Sequence, residues 1–199
     1  KTCAAENSTE IAMQNFIAGL RTSGLCMLAL ALTAVAPAAH AKSATEIDAQ
    51  VDASLKQFKE TVESAAELMS KSEGMLVFPS VIKAGIGIGG EYGEGALRIA
   101  GKTADYYSTA AASIGLQLGA QAKTVIILFL EKAALDKFRN SKGWEAGVDG
   151  SVALIQVGAG GSIDTTNIKD PIIGFVIGQK GLMFNVTLEG SKFTKLVRE

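Results

Sequence analysis

Four cations fall on successive predicted strands or at their ends: Lys83, Arg98, Lys102 and Lys123. If those strands adjoin, the four side chains form a patch suited to phosphate head groups. Arg offers paired donors to phosphate oxygens, and Lys is a point charge attracted to an anionic surface. The plain alternative is scattered, solvated charge. Carboxylates are the second candidate. Glu91 and Glu94 flank a predicted turn, Glu91-Tyr-Gly-Glu-Gly95, and Asp149, Asp164 and Asp170 fall in predicted loops. Paired carboxylates can hydrolyse glycosides or bind calcium. Neither Glu91-Tyr-Gly-Glu94 nor Asp164-Thr-Thr-Asn-Ile-Lys-Asp170 has EF-hand spacing, and Asp and Asn in loops ordinarily bond their own backbone. No catalytic residue and no metal ligand is assigned.

Glycine supplies a third lure. Gly85-Ile-Gly-Ile-Gly-Gly90 spells G-x-G-x-x-G. In a dinucleotide site the last glycine must open a helix whose N-terminus meets the pyrophosphate. Here the run enters Glu91-Tyr-Gly-Glu94, which puts two carboxylates where a phosphate would sit. Gly158-Ala-Gly-Gly161 is not followed by the Gly-Lys-Ser/Thr of a phosphate loop. No nucleotide and no cofactor is expected. Tyr92, Tyr106 and Tyr107 are the three tyrosines. They read as half-buried strand aromatics with hydroxyls in solvent, or as an interfacial aromatic set.

The ends of the chain narrow the chemistry further. Arg21 precedes an apolar run from Leu25 to Ala36, and Ala39-His40-Ala41 closes it with small residues around a histidine. That is the pattern of a secretory signal peptide, cleaved after Ala41. Residues 1–12 then read as an upstream extension, 13–41 as the signal peptide and 42–199 as one domain of 158 residues. Cys26 lies inside the apolar run after Leu25, not at a lipidation site. Cys3, Cys26 and His40 all precede the cut, so the expected mature domain has neither Cys nor His. Ser-His-Asp triads, cysteine nucleophiles, disulfides and Cys/His zinc sites are thereby excluded from it. A cysteine-free exported domain suits a bacterial periplasm. Its 17 Lys and Arg against 18 Asp and Glu lack the basic excess of a nucleic-acid binder.

These residues must be carried by a helix followed by strands. Ser43-Ala-Thr-Glu46 is a capping box. From it Ile47, Val51, Leu55, Phe58, Val62, Ala65 or Ala66, and Met69 recur every three or four residues, which predicts one long amphipathic helix stopped at Gly74. Its apolar stripe packs on a sheet, or alternatively faces lipid. Period-two patterning then predicts strands at Met75–Phe78 (ended by Pro79), Lys83–Gly90, Ala96–Ala100, Ala104–Ser108, Ser113–Gly119 and Lys123–Leu130. Val125–Leu130 is apolar throughout and reads as a central strand. A short helix at Glu131–Asn140 follows, with Ala134, Leu135 and Phe138 on one side and Trp144 in the turn region beyond. Strands at Ser151–Val157, Ile172–Ile177 and Leu182–Leu188 complete the chain, the last two joined at Lys180-Gly181. The order lacks strand-helix alternation. The fold class is therefore α+β: an N-terminal amphipathic helix packed on a glycine-rich, strongly curved antiparallel sheet, a sandwich or partial barrel, with one short internal helix. In Lys83–Gly90 alternate glycines leave one strand face bare, and a bare face invites close approach.

Several stretches together resemble the SYLF domain: Phe78-Pro-Ser-Val-Ile-Lys-Ala-Gly-Ile-Gly-Ile-Gly-Gly-Glu-Tyr-Gly-Glu-Gly95, Tyr106 to Gln121, Phe138-Arg-Asn-Ser-Lys-Gly-Trp-Glu-Ala-Gly-Val-Asp149, and Gly181-Leu-Met-Phe-Asn185 with Glu189-Gly-Ser191. The resemblance runs collinearly through nearly all of 42–199. It implies a lipid-binding module without catalytic residues. It also implies that Ser43–Met69 and Lys83 are positions that inherit membrane contact. The expected protein is non-enzymatic, exported to the periplasm and membrane-associated, with phospholipid or a membrane surface as partner. A periplasmic structural or protein-interaction module is the alternative. Actin is not expected as a partner in that compartment.

Overall fold

The computed structural model describes residues 42–155, 169–178, 181–182 and 188–198; the side chains of 85–87, 113–120 and 181–182 are not described. The segment expected to be a signal peptide, with Cys3, Cys26 and His40, lies outside the described residues. So do Gly158–Gly161, Asp164, Lys180 and the centre of the strand expected at Leu182–Leu188. The described residues all belong to one unit, Lys42–Glu199.

Helix α1 (Ala44–Thr61) begins as its capping signal requires, with Ser43 Oγ accepting from the Glu46 amide at 3.2 Å. The single long helix expected from the pattern is broken. Val62 turns extended after the β-branched pair Thr61-Val62, and α2 (Ala65–Lys71) restarts after Ser64. The break lets Val62, Ala65 and Leu68 all enter one core, so Leu68 is fully buried while Met69 only flanks it. Gly74 is not the helix stop; α2 is capped by Ser72, and Gly74 opens the sheet.

Six predicted strands are two very long ones. Strand β1 (Gly74–Ile99) pairs antiparallel along its length with β2 (Lys102–Phe129). The hairpin turn is Ala100-Gly101, with φ of 50° and 77°, the left-handed pair that a two-residue hairpin loop needs. It is not at Glu91–Gly95, which is ordinary strand. Pro79 does not end a strand either. It sits in a bulge between the Phe78–Val125 and Val81–Lys123 pairs, where its missing N–H costs no ladder bond. Thr124 Oγ1 donates to the Pro79 carbonyl at 2.9 Å.

The hairpin doubles back on itself. Lys83 Nζ lies 3.4 Å from Glu91 Oε1, although eight residues of straight strand would separate them by about 27 Å. The fold-over centres on the glycine run. Beyond it the two halves of β1 meet: a Cβ on Gly93 would stand 2.9 Å from the Ser80 carbonyl oxygen, and one on Gly95 2.0 Å from that of Val77. On β2 the register slips by two residues between the Ile86–Leu118 and Gly87–Gly115 pairs, which places an irregularity at the same bend.

Strand β5 (Ile172–Gly178) extends the sheet beside residues 123–129 of β2, with β4 (Ala153–Leu154) and β6 (Gly181–Leu182) beyond it. Strand β7 (Lys192–Leu196) extends it beside residues 106–110, followed by β3 (Trp144–Glu145). Among the described strands every pairing is antiparallel except β4 with β5, which is parallel, so the sheet is mixed rather than purely antiparallel. The class is α+β with a strongly curled, half-barrel sheet, as the patterning indicated. Val125–Phe129 is buried at every position, as expected of a strand flanked on both sides.

Two cores lie on the two faces. The inner one collects Phe78, Tyr107, Phe129, Phe138, Trp144 and Phe193, with α3 (Lys132–Asn140) contributing Leu135 and Phe138. The outer one lies under α1, where Ile47, Val51, Phe58 and Val62 meet Val77, Ala96, Ile126, Ile173 and Phe175. Phe58 and Phe175 have ring centroids 4.8 Å apart. Because Val77 and Ala96 belong to opposite halves of β1, α1 spans the seam where the halves meet.

Candidate functional site

The fold-over gives β1 an inner and an outer face. Lys83 and Glu91 meet on the inner face, and Lys123 joins them at 2.5 Å from Glu91 Oε2. Lys123 is buried, and Glu91 is its direct counter-charge. A buried cation held by a carboxylate is strongly tied to it, because separation would leave both charges poorly solvated. A small cleft of about 150 Å³ opens beside Lys123, lined by Gln57, Pro79, Thr124 and Ile177 among others. That is below the size of a typical small-molecule pocket.

Alternation sends the intervening side chains outward. Ile82, Ala84, Ile88, Gly90 and Tyr92 are all exposed, Ile88 at 77%. Across the ladder Ala112 faces Gly90 and Ala110 faces Tyr92, and both are exposed. Residues 111–122 of β2 have β1 as their only strand neighbour in the described pairings. Among the described residues the bend is thus a two-stranded ribbon whose outer face carries exposed apolar side chains. The same face is covered further along, where α1 lies over Ala96.

Arg98 is bound to α1. Its Nη2 donates to Asp52 Oδ1 at 2.7 Å and lies 3.6 Å from Asp48 Oδ1. Asp48 also accepts from Thr103 Oγ1 at 2.7 Å and from the Tyr106 hydroxyl at 3.0 Å. Lys102 stands exposed just after the hairpin turn and has no ion-pair partner among the described residues. The four cations therefore separate: Lys83 and Lys123 share one carboxylate, Arg98 fastens α1, and Lys102 is at the hairpin tip.

Glu94 differs from its expected place beside a turn: it is buried in β1 and gathers partners from distant parts of the chain, which spacing does not reveal. Its Oε1 accepts from Tyr92 at 2.8 Å and from Arg198 Nη2 at 2.7 Å, and its Oε2 accepts from the Lys42 backbone nitrogen at 3.3 Å. Local sequence gave one signal, the i, i+2 spacing of Tyr92 and Glu94 on one strand face.

The tyrosines differ from the expected solvated set. Partial burial and the bond to Glu94 push the Tyr92 phenol above its ordinary value, and the same two causes act on Tyr106 through Asp48. Tyr107 is buried beside Phe138, its hydroxyl lacks a partner among the described residues, and burial pushes it up to about 12. Asp149 bonds the Glu145 amide at 2.7 Å, the turn role foreseen for it, while Asp170 is exposed. No group of three or more His, Cys, Asp or Glu among the described residues is placed to hold a metal. No helix among them is long and apolar enough to cross a membrane.

The described fold is thus a curled sheet strapped by an amphipathic helix, with exposed apolar side chains at its bend. Residues 110–198 match the family model described as Ysc84, Las17-binding protein actin regulator, so this part of the chain is similar to the SYLF family that the sequence resembles. That family is associated with lipid- and actin-related binding and is not known as an enzyme family. No curated protein matches the chain.

Proposed function

We propose that this is a non-enzymatic phospholipid-binding domain of an exported bacterial protein, which meets the bilayer with the outer face of its fold-over ribbon. The observation that carries the reading is the exposure of Ile82, Ile88 and Tyr92 along one face of a ribbon that nothing in the described fold covers. Aliphatic side chains there enter the acyl boundary, and the tyrosine, apolar in body and polar at its tip, suits the head-group level. The family association with lipid supports the choice of ligand. The stripe on α1 is spent on the sheet, so the helix is a strap in this reading and not the membrane contact. Of the four cations, Lys102 is the one free to approach a phosphate without first breaking an ion pair.

Co-sedimentation of the protein with zwitterionic and with anionic vesicles tests the proposal. Pelleting is expected, with Ile88→Asp lowering the partition at least about tenfold, since burying one Ile contributes about 1.5–3 kcal/mol. Absence of pelleting with both vesicle types would refute it. The alternative, a protein-interaction module, draws on the family description, which names a protein partner. It predicts no vesicle binding and capture of a protein through the same ribbon.

A further inference from the structure

Glu94 offers one carboxylate oxygen to two donors and the other to one. Oε1 receives Tyr92 and the Arg198 guanidinium; Oε2 receives only the Lys42 backbone nitrogen, at 3.3 Å. The carboxylate is buried, with 9% of its side chain exposed, and the Arg198 side chain is 17% exposed. Lys42 is also the first residue after the Ala39-His40-Ala41 processing signal. The nitrogen that touches Glu94 is therefore the one that hydrolysis after Ala41 would convert from an amide into a free amine.

We propose that processing after Ala41 creates an ion pair between the new α-ammonium of Lys42 and Glu94, and that this pair fastens the start of α1 to β1. In the cleavage, water adds across the Ala41–Lys42 peptide bond under a signal-peptidase-class endopeptidase. Ala41 keeps a carboxylate, and the Lys42 amine takes up a proton at neutral pH. The neutral amide donor becomes a charged one at the same position, and charge-assisted bonds are roughly twice as strong as neutral ones. The Lys42 side chain is already engaged, its Nζ donating to Gln50 Oε1 at 2.7 Å, so the residue is anchored on α1 while its backbone nitrogen points to β1. Glu94 then ties three segments, the start of the domain, strand β1 and the segment after β7. Maturation is read out as stability: α1 is held more firmly over the seam in the cut chain than in the uncut one.

The sign with pH follows from the partner. An ammonium that gains a carboxylate has its pKa raised above the unfolded value of about 7.7–8.0. The gain from cutting is complete below that value and is lost as pH rises through the folded value. The other charged or titratable groups facing it are Glu94, Arg198 and Tyr92, and Tyr92, with its pKa raised above 10.0, stays neutral through this window.

The test uses the full chain with a factor Xa recognition sequence in place of residues 38–41, melted before and after cutting in one preparation. The expected result is a Tm rise of about 3–8 °C on cutting near pH 6.5, shrinking towards zero near pH 10. In Glu94→Gln, which keeps an acceptor but not the charge, cutting should change Tm by less than about 1 °C. Equal Tm before and after cutting in the parent would overturn the proposal, and this comparison does not depend on the variant folding. A rise that is as large in Glu94→Gln, or that persists undiminished near pH 10, would overturn the pairing. N-terminal sequencing of the parent chain after export by a bacterial host separates the steps: Lys42 as first residue supports the processing, and any other start contradicts it.

Discussion

Strand β1 contains two regions built on the same alternation with opposite fates. At the seam, residues 74–81 and 93–99 press together, glycines 93 and 95 admit the backbone of the other half, and α1 closes the outer face. At the bend, residues 82–92, the inner face is held by Lys83, Lys123 and Glu91, and no described residue covers Ile82, Ile88 and Tyr92 on the outer face. Apolar alternation alone does not say which face is a core. It becomes a core where an amphipathic element lies over it, and a contact surface where none does.

The comparison is broken most severely at the seam. Phe58→Ala removes the ring that packs on Phe175 and should cost about 3–5 kcal/mol in denaturant unfolding. Gly95→Val puts a side chain into the Val77 carbonyl and should cost about 3 kcal/mol or more, or prevent folding. Ile88→Asp at the bend should shift stability by no more than about 0.5 kcal/mol, since the side chain touches little. A large loss at Ile88 would mean that the bend is core after all.

A subtler effect of pH belongs to the inner core. The Tyr107 hydroxyl is buried and neutral, with its pKa raised to about 12. Its neutral form is favoured by the fold, so the associated stability is present below the unfolded value near 10 and is lost as pH rises from there to about 12. Tyr107→Phe should flatten that decline in a Tm-against-pH series without loss at neutral pH, because the hydroxyl has no partner to forfeit. The smallest effect is expected at the hairpin turn. Ala100 is the one non-glycine residue of positive φ among those described, and Ala100→Asn should stabilise by about 0.5 kcal/mol in thermal unfolding.

Much of the fold could be read from the residues because local chemistry decided it. The Ser43 cap, the α1 stripe, the buried run 125–129 and the helix at 132–140 all follow from spacing. What misled were glycine and proline. Taken as breakers, they cut two long strands into six. In these two strands, Pro79 marks a bulge, Gly93 and Gly95 mark a contact of the strand with itself, and Gly101 marks the hairpin turn. The strand's contacts with itself join residues 13 and 18 positions apart, Gly93 with Ser80 and Gly95 with Val77, and leave no periodic trace. The site was legible in kind and not in arrangement. Lys83 and Lys123 converge as proposed neighbours, but on Glu91, while the partners of Glu94 come from both ends of the domain and could not be paired from spacing.

The central claim, that the bend's outer face meets lipid, is tested most directly by an environment-sensitive fluorophore placed on it. With Cys3 and Cys26 changed to Ser, the dye is attached at Ile88→Cys in one sample and at Val148→Cys in another, both positions being exposed and Val148 lying between β3 and β4. On adding phospholipid vesicles, emission from position 88 should shift to the blue and that from position 148 should not. Vesicle binding without a shift at 88, or with a shift at 148 alone, would contradict the account.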